Sequence, residues 1–93
     1  MMDKEERQIL NTNNFEDCFK IIKKYWNSEQ GTCEICRERK NKTITLELTT
    51  GGWFENEEFI KELANTYFWF LWWQESKRGG YYKFIYSEVI ENE

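Results

Sequence analysis

The segment that decides the fold is residues 67–86, which has the sequence YFWFLWWQESKRGGYYKFIY. Aromatic and β-branched residues favour strands, so we expect one strand over residues 67–75 and a second over residues 81–86. Between them, residues 77–80 are Lys-Arg-Gly-Gly, and paired glycines are typical of a tight turn. The segment therefore predicts a β-hairpin.

The two-residue period of a strand predicts which side chains share a face of this hairpin. A turn at residues 77–80 pairs Trp73 with Phe84 and Leu71 with Tyr86. The face expected to pack on helices then carries Trp69, Leu71, Trp73, Tyr82, Phe84 and Tyr86. The opposite face carries Phe68, Phe70, Trp72, Lys83 and Ile85. Apolar groups of this size need a cover, which we expect to be a helix of this chain, a second copy or a partner protein.

Three further elements are predicted upstream of the hairpin. Residues 43–48 alternate apolar and polar side chains, which predicts a half-buried strand. Apolar residues at helical spacing predict an amphipathic helix over residues 15–26, capped by Asn13 or Asn14. A second helix is expected over residues 57–65, with Asn56 as its cap. Residues 27–42 are expected to form a loop.

These elements follow one another in the order α-β-α-β-β. They predict a single small α+β domain over residues 1–93, with a three-stranded, largely antiparallel sheet packed on two helices. Residues 1–13 are polar and are expected to be partly disordered or to form a short capping helix. Residues 87–93 are expected to be flexible.

Composition narrows the classes of function. The chain has 93 residues, a net charge of −4 and no histidine. An acidic balance argues against direct nucleic-acid binding, and the missing histidine removes the commonest general base and metal ligand. No nucleophile–base pair is visible, so we expect neither an enzyme nor a cofactor. The polar N-terminus, the lack of a long apolar run and an odd number of cysteines predict a cytoplasmic protein without a membrane span.

Three short motifs are candidate sites. Cys33 and Cys36 form a C-x-x-C pair to which Cys18 could add a third zinc ligand, although ordinary thiols in a loop are the favoured interpretation and a redox pair is another. Gly51, Gly52 and Trp53 precede a helix, where free backbone N–H groups could receive an anion. Lys77 and Arg78 place two cations on the hairpin tip, where they could contact a phosphate or an acidic partner.

The C-terminal half contains two sequence motifs. The first consists of Thr50, Gly51, Gly52, Trp53, Asn56, Glu57 and Glu58. The second consists of Phe68, Trp69, Leu71, Trp73, Ser76, Arg78, Gly79, Gly80, Tyr82 and Phe84. With these motifs, roughly residues 43–86 resemble a group of small proteins encoded by bacteriophages and prophages. The resemblance implies a phage or mobile-element origin, but no activity. Phe54 stands where the group has a small serine.

Size, aromatic excess and this resemblance predict an inhibitor that binds a bacterial defence factor, as anti-CRISPR proteins do, inside the bacterial host cell. The expected partner-binding residues are Phe68, Phe70, Trp72, Lys77, Arg78 and Lys83. The partner would be a bacterial defence protein, such as a CRISPR effector, and a homodimer is a further expectation. Two alternatives stay open. One is a sponge, a protein that sequesters a nucleotide-type immune signal. The other is a zinc-stapled regulator that binds nucleic acid.

Overall fold

The computed structural model of the protein describes residues 2–87. Its elements are α1 (Lys4–Leu10), α2 (Phe15–Tyr25), β1 (Thr32–Glu38), β2 (Thr43–Thr49), α3 (Phe54–Leu63), α4 (Tyr67–Trp72), β3 (Trp73–Lys77) and β4 (Tyr81–Ser87). The α+β class is confirmed, but the described chain has four strands rather than three and four helices rather than two. Apart from Ser87, the tail expected to be flexible lies outside the described residues.

The four strands form one antiparallel sheet in the order β1-β2-β4-β3. The prediction of a loop over residues 27–42 was wrong, because β1 pairs with β2 along its full length from Thr32↔Thr49 to Glu38↔Thr43. Strand β1 forms one edge of the sheet without interruption. Strand β3 forms the other edge, and its register with β4 shifts between Trp73 and Glu75.

The predicted strand over residues 67–75 is also wrong, since its first part is the helix α4 and β3 begins only at Trp73. Helical spacing places Phe68 and Trp72 on one side of α4. Both rings contact Phe15 of α2, at centroid distances of 5.7 and 5.2 Å. This packing outweighs the strand preference of the aromatic residues. The predicted pair Trp73↔Phe84 is confirmed, whereas Leu71 lies in the helix and does not pair with Tyr86.

The helices begin and end for local reasons. Helix α2 is confirmed, and Asn14 caps it by accepting a hydrogen bond from the Asp17 N–H at 3.1 Å. Helix α1 shows that the N-terminal segment includes a short helix, which has a capping box between Asp3 and Glu6. Helix α3 begins at Phe54, three residues before the predicted start.

Asn56 is therefore inside α3 and is not its cap. Its side chain is buried and accepts from the Asn27 N–H at 2.9 Å. Its amide also donates to the carbonyl oxygens of Asn27 at 3.1 Å and Thr50 at 3.3 Å. Since a buried amide needs such partners, Asn56 fixes two connecting segments to α3.

The described helices pack on one face of the sheet. The shared core consists of Met2, Leu10, Phe15, Cys18, Ile22, Trp26, Ile44, Leu46, Leu48, Phe59, Ile60, Leu63, Phe68 and Phe84. Residues of opposite parity in the strands form the other face, which we call the open face. None of its side chains is buried, and Glu34, Glu47, Lys83 and Glu75 are successive neighbours across its four strands.

Candidate protein-binding surface

The outer side of α4 carries a cluster of exposed apolar side chains, which we call the α4 patch. It consists of Tyr67, Phe70, Leu71 and Trp73, whose exposed fractions are 48%, 78%, 36% and 44%. The first three follow the i, i+3, i+4 spacing that places side chains on one face of a helix, and Trp73 follows directly at the start of β3.

The inner side of α4 holds the patch in place. Phe68 is completely buried, and its ring lies 5.0 Å from that of Phe84 and 5.2 Å from that of Trp72, measured between centroids. Trp69 packs edge-on against Phe84 at 5.3 Å. Because the inward rings touch both α2 and the sheet, the short helix has fixed neighbours on its buried side.

Contacts within the α4 patch and with adjacent residues also order its side chains. The rings of Tyr67 and Phe70 stack at 5.9 Å, and those of Trp69 and Trp73 stack at 6.3 Å. The Trp73 indole N–H donates to the Ser76 hydroxyl at 2.7 Å. A binding surface that is already ordered loses less side-chain entropy when a partner docks.

The apolar area of the α4 patch can be compared with that of patches on other monomeric proteins. With roughly 200 Å² per aromatic side chain, its exposed fractions leave about 400 Å² of apolar surface in water. The largest apolar patch on a typical monomer measures about 300–600 Å² and is often functional. The area of the α4 patch lies within this range, which makes it a candidate for a functional surface.

The predicted partner-binding residues do not lie together. Phe68 must be corrected, because it is fully buried in the core. Trp72 is half-buried against Phe15 and Tyr86, so it belongs mainly to the core. Phe70 is the most exposed member of the α4 patch. Lys83 lies instead on the open face.

The two predicted cations of the hairpin tip are not members of the α4 patch. The Lys77 ammonium is 3.6 Å from the Glu75 carboxylate and 5.2 Å from the centre of the Tyr81 ring. Arg78 is exposed in the turn between β3 and β4. This turn contacts the connection between β2 and α3, because the Thr50 N–H donates to the Gly80 carbonyl at 3.0 Å.

The sequence did not predict that the other three members of the α4 patch, Tyr67, Leu71 and Trp73, bind a partner. Leu71 and Trp73 were expected in the core, and that expectation is corrected by their exposure. The helical spacing of Tyr67, Phe70 and Leu71 was the available signal. It was hidden because the residues between them are apolar as well.

The candidate anion loop is explained by its turn geometry. Gly51 and Gly52 have φ of 64° and 74°, and a Cβ on Gly51 would lie 1.7 Å from the Gln30 carbonyl oxygen. The N–H groups of Gly52 and Trp53 donate to the hydroxyl and the carbonyl of Thr50, at 3.2 and 3.0 Å. Both amides therefore already have acceptors within the chain.

The three cysteines are far from forming a metal site. Cys33 and Cys36 are three residues apart in β1, so they point to opposite faces of the sheet. Burial raises the pKa of the Cys18 and Cys33 thiols to about 11. Within residues 2–87, no group of three or more His, Cys, Asp or Glu side chains is arranged to hold a metal ion.

The open face carries a network of polar contacts. The Tyr81 hydroxyl donates to the Glu47 carboxylate at 2.6 Å, and this hydrogen bond raises the pKa of Tyr81 to about 12. Glu47 also lies beside Lys83 in the neighbouring strand. Because these side chains already have polar neighbours, the open face is less suited than the α4 patch to bury apolar surface against a partner.

No family model, curated protein sequence or solved structure matches this chain. Within the described residues, no helix has the length and apolar character needed to cross a lipid bilayer.

Proposed function

We propose that this protein acts by binding another protein through the α4 patch. The observation that carries the proposal is the exposure of Tyr67, Phe70, Leu71 and Trp73 on one ordered surface. Aromatic side chains of this kind are enriched among the residues that dominate binding energies. The resemblance to phage proteins favours a bacterial defence factor as the partner, which would make the protein an inhibitor of that factor.

The area of the patch sets the energetic scale of such binding. Burying about 400 Å² of apolar surface is worth about 10 kcal/mol. Association costs about 4–15 kcal/mol in lost freedom of motion. The patch alone therefore gives weak binding, and a stable complex needs additional polar contacts around it. A docking surface of this design is selective, because the surrounding contacts must also fit.

The test uses two matched substitutions of exposed phenylalanines. Phe70→Asp places a charge in the α4 patch, whereas Phe54→Asp places the same charge at the start of α3, where Phe54 is 69% exposed. The tagged full chain and both variants are used to capture partners from a bacterial lysate that contains defence systems, with mass spectrometry of proteins and small molecules.

We expect one bacterial protein to be captured in stoichiometric amount by the wild type and by Phe54→Asp. Its affinity for Phe70→Asp should fall by at least about 30-fold, the equivalent of one central interface residue. Equal capture by all three proteins would refute the role of the patch. A bound nucleotide without a protein would refute the proposal in favour of a nucleotide sponge. Self-association that depends on Phe70, without another protein, would instead identify a homodimer.

A further inference from the structure

The connection between β1 and β2, at the opposite end of the sheet from the Arg78 turn, has unusual charge and geometry. It consists of Arg39, Lys40, Asn41 and Lys42, and we call it the basic turn. The turn is closed by the Lys42 N–H, which donates to the Arg39 carbonyl at 3.2 Å. Within residues 2–87, none of its three cations takes part in a salt bridge.

The charged residues that precede the basic turn have partners of their own. Arg37, which is close to the turn, has both Nη atoms bonded to the Glu16 carboxylate. Glu38 accepts from the Asn41 amide at 2.9 Å. Glu16 and Glu38 are therefore held by partners other than the cations of the basic turn, and all four residues of the turn are exposed.

Lys42 adopts a backbone conformation that glycine or asparagine would adopt with less strain. Its φ is 51°, and it is the sole non-glycine residue with a positive φ in the described part of the chain. Side chains with a Cβ disfavour this region because of a clash with the backbone. The backbone is therefore strained at Lys42, which is one of the cations of the basic turn. Strained backbone positions cluster at functional sites.

A shallow hollow lies beside these cations. Its volume is about 280 Å³, and it is lined by Arg37, Glu38, Arg39, Lys42, Thr43 and Ile44. Ile44 is 7% exposed and joins the hollow to the hydrophobic core. The hollow therefore combines cationic side chains with an apolar wall and is large enough for one or two side chains.

We propose that the basic turn and this hollow form a docking site for an acidic, extended segment of a partner protein. Carboxylates of the segment pair with Arg39 and Lys42, and an apolar side chain enters the hollow beside Ile44. A peptide can place its carboxylates at positions that avoid the negative charges of Glu38 and Glu16. A nucleic acid has regularly spaced phosphates, which these two glutamates would repel. The chain's net charge of −4 also opposes a nucleic acid.

This inference shares with the proposed function only the premise that the partner is a protein. The site lies at the turn between β1 and β2, while the α4 patch is formed by α4 and the first residue of β3. The two proposals can therefore be refuted separately. A substitution in the basic turn can leave peptide binding unchanged while Phe70→Asp weakens binding of the partner protein, and the reverse result is also possible.

The test measures fluorescence anisotropy of a labelled eight-residue peptide of alternating Glu and Val, added to the full chain at low salt. A Lys-Val peptide is the charge control, and a labelled single-stranded oligonucleotide of twelve nucleotides represents nucleic acid. The variants are Lys42→Glu, Lys42→Gly and the matched control Arg78→Glu, which changes a cation in the other hairpin turn.

We expect the Glu-Val peptide to bind and to lose at least about 10-fold in affinity with Lys42→Glu, because attraction becomes repulsion at the contact. Lys42→Gly should bind about 3- to 10-fold more weakly yet unfold at a higher temperature, because glycine relieves the positive φ. Arg78→Glu should bind as the wild type does. The thermal scan also shows that a loss of binding is not a loss of fold.

Three results would overturn the inference. The first is absence of Glu-Val binding at low salt, and the second is equal weakening by Lys42→Glu and Arg78→Glu. The third is tighter binding of the oligonucleotide than of the peptide with the same dependence on Lys42, which would assign the turn to a nucleic acid.

Discussion

Replacing Phe68 and Phe70 separately by alanine tests the conformation of the segment that carries the α4 patch. In a strand, these two residues would point to the same face. In the helix α4, they point to different sides, so Phe68 is completely buried and Phe70 is 78% exposed. The two substitutions should therefore have very different effects on the free energy of unfolding.

The structure sets the size of each effect. Phe68→Ala removes a ring that contacts Phe15, Trp72 and Phe84, and truncation of a buried phenylalanine costs about 3–5 kcal/mol. Phe70→Ala removes mostly solvated surface, for which about 0.5 kcal/mol or less is expected. Total stability of small domains is only about 5–15 kcal/mol, so Phe68→Leu, with an expected cost of about 1 kcal/mol, is a milder companion.

Urea denaturation followed by circular dichroism measures both free energies, since tryptophan fluorescence would be complicated by the surrounding indoles. The expected order of stability is wild type, Phe70→Ala, Phe68→Leu and then Phe68→Ala. Similar losses for Phe68→Ala and Phe70→Ala would refute the argument, because they would place both rings on one buried face. That outcome would also remove Phe70 from the candidate interface.

Two other contacts give further predictions. Hydrogen bonds from Lys24 and Tyr25 hold the pKa of the buried Glu6 carboxyl at about 2, below its usual 4.5. Its stabilising effect is therefore complete above about pH 4.5 and is lost as the pH falls towards 2. The urea midpoint should accordingly drop more between pH 6 and pH 3 in the wild type than in Glu6→Gln, and parallel curves would contradict this assignment. For the cysteines, Cys36 is exposed, while burial raises the pKa of Cys18 and Cys33 to about 11. One thiol per chain should thus react rapidly with Ellman's reagent at pH 8, and Cys36→Ser should abolish this phase. Two rapid thiols in the folded wild type would show that Cys33 is accessible.

Elements with a clear local pattern could be predicted from the sequence. Helix α2 has an apolar stripe at helical spacing with Asn14 before it, and β2 alternates strictly. In both, the pattern of the element and its final packing agree. For this reason their bounds differ from the prediction by no more than one residue.

Strand β1 and helix α4 could not be predicted, for opposite reasons. The two inward apolar residues of β1, Cys33 and Ile35, are only half-buried and alternate with polar ones near a run of cations, so the strand signal is weak. Helix α4 consists of six apolar residues, which fit a strand and a helix equally well by pattern. Only contacts with the distant Phe15 and Phe84 decide between them.

The predicted binding surface depended on whether residues 67–72 form a strand or a helix. A strand would place Phe68, Phe70 and Trp72 together on one face, as the sequence led us to expect. A helix instead separates Phe70 from the other two and groups it with Tyr67 and Leu71. An error in the secondary structure of six residues was therefore enough to change most members of the proposed surface.

The two edges of the sheet differ in how well they resist unwanted growth. Strand β3 is short and its register shifts near Trp73, which makes it a poor template for another strand. Strand β1 is regular over seven residues and contains no proline. Its charged residues Glu34, Arg37 and Glu38 act as gatekeepers against aggregation. Neutralising these three charges would leave an edge strand that can pair with β1 of another molecule, so that fibrils could form at high protein concentration.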